Sequence, residues 1–163
     1  MKASWMAALL LSLIMISQST AQQDALISSD QIVERLSGNF SRYRNLVPVT
    51  APSINLTINF KVGAATLGAG GKRQLVELSK ALGSESLRDK KVLVEGHTDA
   101  QGSPELNLRL SAQRAAAVVE FLVMNGIERD RLSSVGKGFT DLLDKQNPMS
   151  AKNRRVTIKL ETP

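Results

Sequence analysis

The sequence predicts an α/β sandwich, with helices packed on one face of a mixed four-stranded sheet. Two observations carry the prediction. Apolar residues alternate with polar ones in three separate stretches, the period of a half-buried strand, and between them they recur every third or fourth residue, the period of a helix. Residues that start or stop helices stand at the seams: Ser103-Pro104 ahead of one helical stretch, Gly83 and Gly126 behind the two. The resulting order is strand, helix, strand, helix, strand, strand.

In the first strand Ile54, Leu56, Ile58 and Phe60 alternate with Asn55, Thr57 and Asn59. A glycine-containing loop follows, and Leu75, Leu78 and Leu82 place a helix over about Ala69 to Leu82, stopped by Gly83. The second strand spans Lys91 to His97 through Val92, Val94 and Gly96. Ser103 suits the cap of the next helix and Pro104 its first turn. That helix runs to about Asn125, with Leu108, Ala112, Ala115, Val119 and Leu122 as its expected apolar stripe. A turn at Glu128 to Arg131 leads to a third strand near Leu132 to Gly136. Val156, Ile158 and Leu160, alternating with Arg155, Thr157 and Lys159, form the last.

Ahead of this domain, residues 1–21 have the shape of a secretory signal. Lys2 precedes an apolar run from Trp5 to Ile16, and Ser19 and Ala21 are the small residues that suit a cut before Gln22. The competing reading is an uncleaved membrane anchor, as in a stator-like structural subunit; if the signal is cleaved, any membrane association is indirect. Residues 22–52 read as an N-terminal extension with a short helix capped by Ser28 or Ser29, and Pro48 and Pro52 mark the boundary to a domain over 53–163.

Composition narrows the function. The chain of 163 residues lacks cysteine, so disulfides, thiolate chemistry, cysteine-bound metal and an acylated cysteine are excluded. The net charge of +6 attracts polyanions, but bases and acids are interleaved and there is one Trp and one Tyr for base stacking, which argues against nucleic acid. His97 is the only histidine. Without a second histidine or a cysteine it makes no ordinary zinc site, and no nucleophile-elbow motif surrounds any serine. Glu95 and Asp99 are a poor pair for glycoside hydrolysis, because Asp99 has already left the strand. No enzyme activity, metal or cofactor is expected.

The informative stretch is Glu95-Gly96-His97-Thr98-Asp99-Ala100-Gln101-Gly102-Ser103, between the second strand and the following helix, where open α/β sheets tend to place ligands. Asn107 and Arg114 lie seven residues apart on that helix, close to two turns, with Ser111 between them. Asp99 and Arg114 would flank a zwitterionic ligand, the carboxylate facing an ammonium and the guanidinium forking onto a carboxylate. The alternative is an internal Asp99–Arg114 salt bridge that serves the fold alone.

From Ile58 to Leu160 the chain resembles the OmpA-like C-terminal domain of outer-membrane porin-like proteins, peptidoglycan-associated lipoproteins and flagellar stator subunits. The matching pieces are Ile58-Asn59-Phe60, Leu67, Gly96-His97-Thr98-Asp99, Gly102, Asn107, Leu110-Ser111, Arg114-Ala115, Asn125-Gly126-Ile127, Gly136, Gly138 and Asn153-Arg154-Arg155-Val156. The resemblance implies a βαβαββ fold in the periplasm, associated with the cell wall or outer membrane, that binds the diaminopimelate of peptidoglycan stems and anchors the protein or an envelope partner. It puts Asp99 on the ligand's ammonium, Arg114 on its carboxylate, Thr98 and Asn107 at neighbouring contacts, and Arg154 or Arg155 at the groove's border. The chain departs from the family at Lys61-Val62-Gly63-Ala64-Ala65, where an acidic or amide residue and a serine are usual. It departs again at Lys137 and Leu142, where an aromatic and a proline are common.

Overall fold

The computed structural model describes residues 26–37, 51–61 and 63–161. The expected signal segment and its cleavage point lie outside the described residues. Within them the elements are α1 (Ser29–Ser37), β1 (Ser53–Leu56), α2 (Ala69–Leu82), β2 (Val92–His97), α3 (Pro104–Met124), β3 (Leu132–Gly138) and β4 (Val156–Leu160), with 3-10 turns at Arg129–Arg131 and Ala151–Asn153. The sheet order is β1-β4-β2-β3. The last strand in the chain therefore enters the middle, antiparallel to β1 and β2, while β2 and β3 run parallel. The two helical spans and β4 fall where the periodicity places them.

The helices cover one face of the sheet, and the core lies between. Ile54, Leu56, Val92, Val94, Val156, Ile158 and Leu160 supply the sheet side; Leu75, Leu78, Leu82, Ala115, Val118 and Leu122 supply the helix side. This core is aliphatic, and burying each Leu, Ile or Val contributes on the order of 1.5–3 kcal/mol.

Helix α1 belongs to this same core, because Ile32 and Leu36 are fully buried in it. Its start is a reciprocal cap in which Gln31 N donates to Ser28 Oγ (3.4 Å) and Ser28 N donates to the Gln31 side-chain oxygen (3.1 Å). The buried amide of Gln74 clasps Ile27, accepting from its N–H and donating to its carbonyl, both at 2.9 Å. Ser29 N donates to Glu77 Oε2 at 3.0 Å. The helix of the N-terminal extension is thus tied to α2 by hydrogen bonds from α2 side chains to its main chain as well as by apolar contact.

Three details differ from the sequence expectation. Strand β1 stops at Leu56 instead of reaching Phe60, because Leu56 pairs with Val156, the first residue of β4, and beyond it no strand ladder continues among the described residues; Phe60 makes an isolated bridge to Leu67. Strand β3 runs on to Gly138, past a register shift between Gly96 and His97. The stripe on α3 is rotated in its first half, where Asn107 and Ser111 are buried and Leu108 is 53% exposed. The cause is close backbone approach. A Cβ on Gly96 would run into the Ser111 carbonyl, and one on Gly136 would sit 2.7 Å from the Leu108 carbonyl oxygen. Two bare glycines let α3 lie directly on β2 and β3, so small polar residues fill the seam and Leu108 is turned outward.

Candidate functional site

Where β2 ends, the chain turns through Thr98 to Ser103 over the carboxyl end of the sheet. The turn is fixed at several points. Thr98 N donates to the Gly138 carbonyl (2.9 Å) and Ala100 N to the Pro148 carbonyl (3.0 Å). Asn107 Nδ2 donates to the Gln101 carbonyl at 2.6 Å, and Gly102 has φ of +87°, a left-handed conformation open to glycine at little cost. The Ser103 hydroxyl caps α3 by accepting from Leu106 N at 3.3 Å. The loop over Asp144 to Pro148 is in turn held by Asn153. Its fully buried amide accepts from Asp144 N (2.8 Å) and donates to the carbonyls of Asp144, Asn147 and Pro148 (3.2, 3.1 and 3.0 Å).

This frame presents the Asp99 carboxylate, which is only 6% exposed. Its Oδ1 accepts from Gln101 N at 3.2 Å, and its Oδ2 accepts from Arg154 Nη1 at 2.8 Å. Arg114 makes no ion pair with Asp99 among the described residues, so the internal Asp99–Arg114 bridge considered from the sequence is not formed. Instead Arg114 Nε donates to the Ala64 carbonyl at 3.1 Å, and its guanidinium carbon lies 5.0 Å from the centroid of the Phe60 ring. The two Nη groups carry no hydrogen bond among the described residues. Burial lowers the Arg114 pKa, the neighbouring charge of Arg154 lowers it further, and Asp99 opposes both. The three charges therefore share one neighbourhood, two positive and one negative. Next to Asp99, the Thr98 hydroxyl is buried without a partner among the described residues.

Four of the sequence candidates, Asp99, Thr98, Asn107 and Arg154, meet in or against this turn, and Arg114 approaches from α3. Of the pair Arg154 and Arg155, only Arg154 reaches this turn; Arg155 lies away from it. Neighbouring residues entering a strand point to opposite sides, and Arg155 is buried against Asn55 Oδ1 (3.4 Å), the Asp141 carbonyl (3.1 Å) and Asp141 Oδ2 (3.4 Å). From the loop after Phe60, the main-chain carbonyl of Ala64 is what meets Arg114. Sequence reasoning gave Asn153 no function of its own. Its place in the Asn-Arg-Arg motif was the available signal, but its four partners lie on a loop with no periodicity.

The sheet face away from the helices holds a separate polar cluster. His97 is buried, its Nε2 3.2 Å from Thr157 Oγ1 and 3.7 Å from Glu95 Oε2. Burial and the charge of Arg155 push its pKa down to about 4, Glu95 opposing, so the ring is neutral at pH 7. Lys159 Nζ approaches Glu95 Oε2 at 2.7 Å, a close ionic contact that lacks hydrogen-bond geometry, and Lys137 Nζ lies 4.0 Å from Oε1.

The geometry agrees with what known proteins share with this chain. The OmpA family model matches residues 59–155, more than half of the sequence, and the chain belongs to that family. Outer membrane protein A of Serratia marcescens is 40% identical over 98 residues, covering 60% of this chain and 27% of that protein. The peptidoglycan-binding protein ArfA of Mycobacterium bovis is 42% identical over 72 residues, covering 43% of this chain and 22% of its own length. The chain thus spans under a third of these two relatives. Among solved structures, a putative MotB-like protein from Desulfovibrio vulgaris superposes with a TM-score of 0.57 at 28% identity, covering 68% of this chain and 73% of that one.

Proposed function

We propose that this domain binds peptidoglycan without performing chemistry on it, holding the diaminopimelate of a stem peptide between Asp99 and Arg114 and so anchoring the protein, or an envelope partner, to the wall from the periplasmic side. The observation that carries the reading is the state of the Arg114 guanidinium. It is half-buried and pinned through Nε and the Phe60 ring, yet its two Nη groups have no protein acceptor among the described residues. A partly desolvated, positioned guanidinium with its fork unspent is suited to a carboxylate, and Lys would be a poor substitute. The unpartnered Thr98 hydroxyl supports the same reading, since buried hydroxyls find partners and a ligand would provide one. The membership in the OmpA family and the likeness to a protein named for binding peptidoglycan support the ligand class. A binding role without catalysis fits the position of His97 and Glu95 on the far sheet face, where His97 meets Thr157 and Glu95 meets Lys159, away from Asp99 and Arg114.

Co-sedimentation with purified sacculi tests the proposal. The wild-type chain should pellet with the wall at physiological salt and leave its muropeptide profile unchanged, while a folded Asp99→Ala variant should stay largely in the supernatant. Release of soluble muropeptides, or undiminished pelleting of that variant, would refute it.

A further inference from the structure

The carboxylate assigned to the ligand's ammonium already has a cation on it. Arg154 Nη1 stands 2.8 Å from Asp99 Oδ2, and this is the only hydrogen bond of the Arg154 side chain among the described residues. The two arginines of the site are held very differently. Arg114 is fixed by the Ala64 carbonyl and the Phe60 ring, whereas the Arg154 side chain is 49% exposed and tied to nothing but Asp99. An exposed arm of this kind is released at small cost. An ammonium group approaching Asp99 competes with it for the exposed side of that carboxylate.

We infer that Arg154 is a specificity-determining residue, a resident cation on Asp99 that competes with any ligand ammonium and that yields to a ligand carrying a carboxylate beside that ammonium. The inference rests on the Asp99 and Arg114 reading above. Its basis is the charge count. Without ligand the site holds two guanidinium groups and one carboxylate. A ligand ending in an ammonium alone would add a third cation around the one buried anion and compete with Arg154 for it. A ligand ending in both groups adds no net charge, and its carboxylate gives Arg154, together with the unspent fork of Arg114, a new acceptor. Like charges brought together at a partly desolvated site are unfavourable, so Arg154 acts against the simple amine more than it acts for the zwitterion. The selection would separate diaminopimelate stems from lysine stems, which differ by that one carboxylate.

The test is calorimetric titration of the full chain with two synthetic tripeptides, L-alanyl-γ-D-glutamyl-meso-diaminopimelate and L-alanyl-γ-D-glutamyl-L-lysine. Arg154→Gln should bind the lysine peptide about 3- to 10-fold more tightly than wild type does, while the diaminopimelate peptide gains nothing, so that the ratio between the two shrinks. Arg154→Lys, which keeps a cation within reach of Asp99, should keep most of the wild-type ratio. Arg154→Lys should melt close to wild type, whereas Arg154→Gln should melt somewhat lower, because it leaves the buried Asp99 carboxylate without its cation, and must still unfold cooperatively for its affinities to count. An unchanged ratio in Arg154→Gln, with wild type still binding the diaminopimelate peptide, overturns the role of Arg154 and leaves the Asp99–Arg114 reading standing. Equal weakening of both peptides overturns it too, making Arg154 an ordinary contact. Failure of wild type to bind either peptide would overturn both readings together.

Discussion

Two half-buried arginines, Arg131 and Arg114, serve opposite ends of the sheet, and the difference between them separates a structural guanidinium from one available to a ligand. At the amino end of β2, Arg131 reaches back across the chain and spends its donors on main-chain carbonyls. Its Nη2 donates to Leu82 O (3.1 Å) and Leu87 O (2.8 Å), and its Nε to Lys90 O (3.2 Å). It closes the end of α2 and the turn after it, where helix carbonyls would otherwise lack partners. At the carboxyl end, Arg114 makes one such bond, through Nε to Ala64 O, and holds its fork unspent beside Asp99 and Arg154. Both side chains bridge segments about fifty residues apart. What distinguishes them is how many donors the protein itself has satisfied.

The comparison depends on α3 lying flat on β2 and β3, and the largest effect should come from breaking that contact. Gly96→Ala would drive a methyl into the Ser111 carbonyl, a backbone atom that has no room to retreat. A loss of about 4 kcal/mol or more is expected, enough to abolish or broaden the cooperative transition in a urea titration.

A smaller effect comes from the far face of the sheet. The folded pKa of His97 is lowered to about 4 from 6.5, so below 6.5 the unfolded chain takes up a proton that the folded chain refuses. Stability from this group is complete above pH 6.5 and drains away as the pH falls toward 4, by up to about 3 kcal/mol. Urea midpoints measured across that window should fall for wild type. His97→Asn should be less stable at pH 7 and should show a shallower pH slope, whereas equal slopes would mean that the histidine does not titrate as described.

The two arginines themselves provide the sharpest contrast at modest cost. Arg131→Ala should lose about 1–3 kcal/mol of stability, since three hydrogen bonds are lost and the Leu82 carbonyl at the end of α2 is left without its side-chain donor, and should bind sacculi as wild type does. Arg114→Ala should lose within about 1 kcal/mol of stability, having given up one hydrogen bond and a ring contact, and should bind poorly. Thermal melts paired with the pelleting assay would reveal the crossing; parallel losses in both properties for both variants would erase the distinction.

Most of this architecture was legible in the sequence because it is written locally. The bounds of α2 and α3 follow from Gly83, Ser103 and Pro104, which act on their own helix ends, and β4 from strict alternation over Val156–Leu160. Asp99 and Arg114 could be singled out because one lies in the loop after a strand and the other on the helix that follows, two turns beyond Asn107 on nearly the same face. What escaped depends on partners remote in the chain. Asp99 and Arg154 are fifty-five positions apart, and no periodicity announces that they meet. Arg154 and Arg155 look interchangeable in the sequence, yet the strand they enter sends one to Asp99 and the other to Asn55 and Asp141. The rotation of the α3 stripe was hidden for the same reason. Leu108 looks like core until Gly96 and Gly136 are known to sit beneath the helix.

The central claim is that Arg114 receives a ligand carboxylate, and amidation of that carboxylate addresses it most directly. Wild type and Arg114→Ala would each be titrated with the diaminopimelate stem tripeptide, with its side-chain carboxylate free or amidated. Wild type should lose on the order of 30-fold in affinity on amidation, the equivalent of about 2 kcal/mol for a charge-assisted pair. Arg114→Ala should already be weakened to that level and should lose little more when the peptide is amidated. An equal penalty for amidation in both proteins would place the ligand's carboxylate elsewhere and contradict the site.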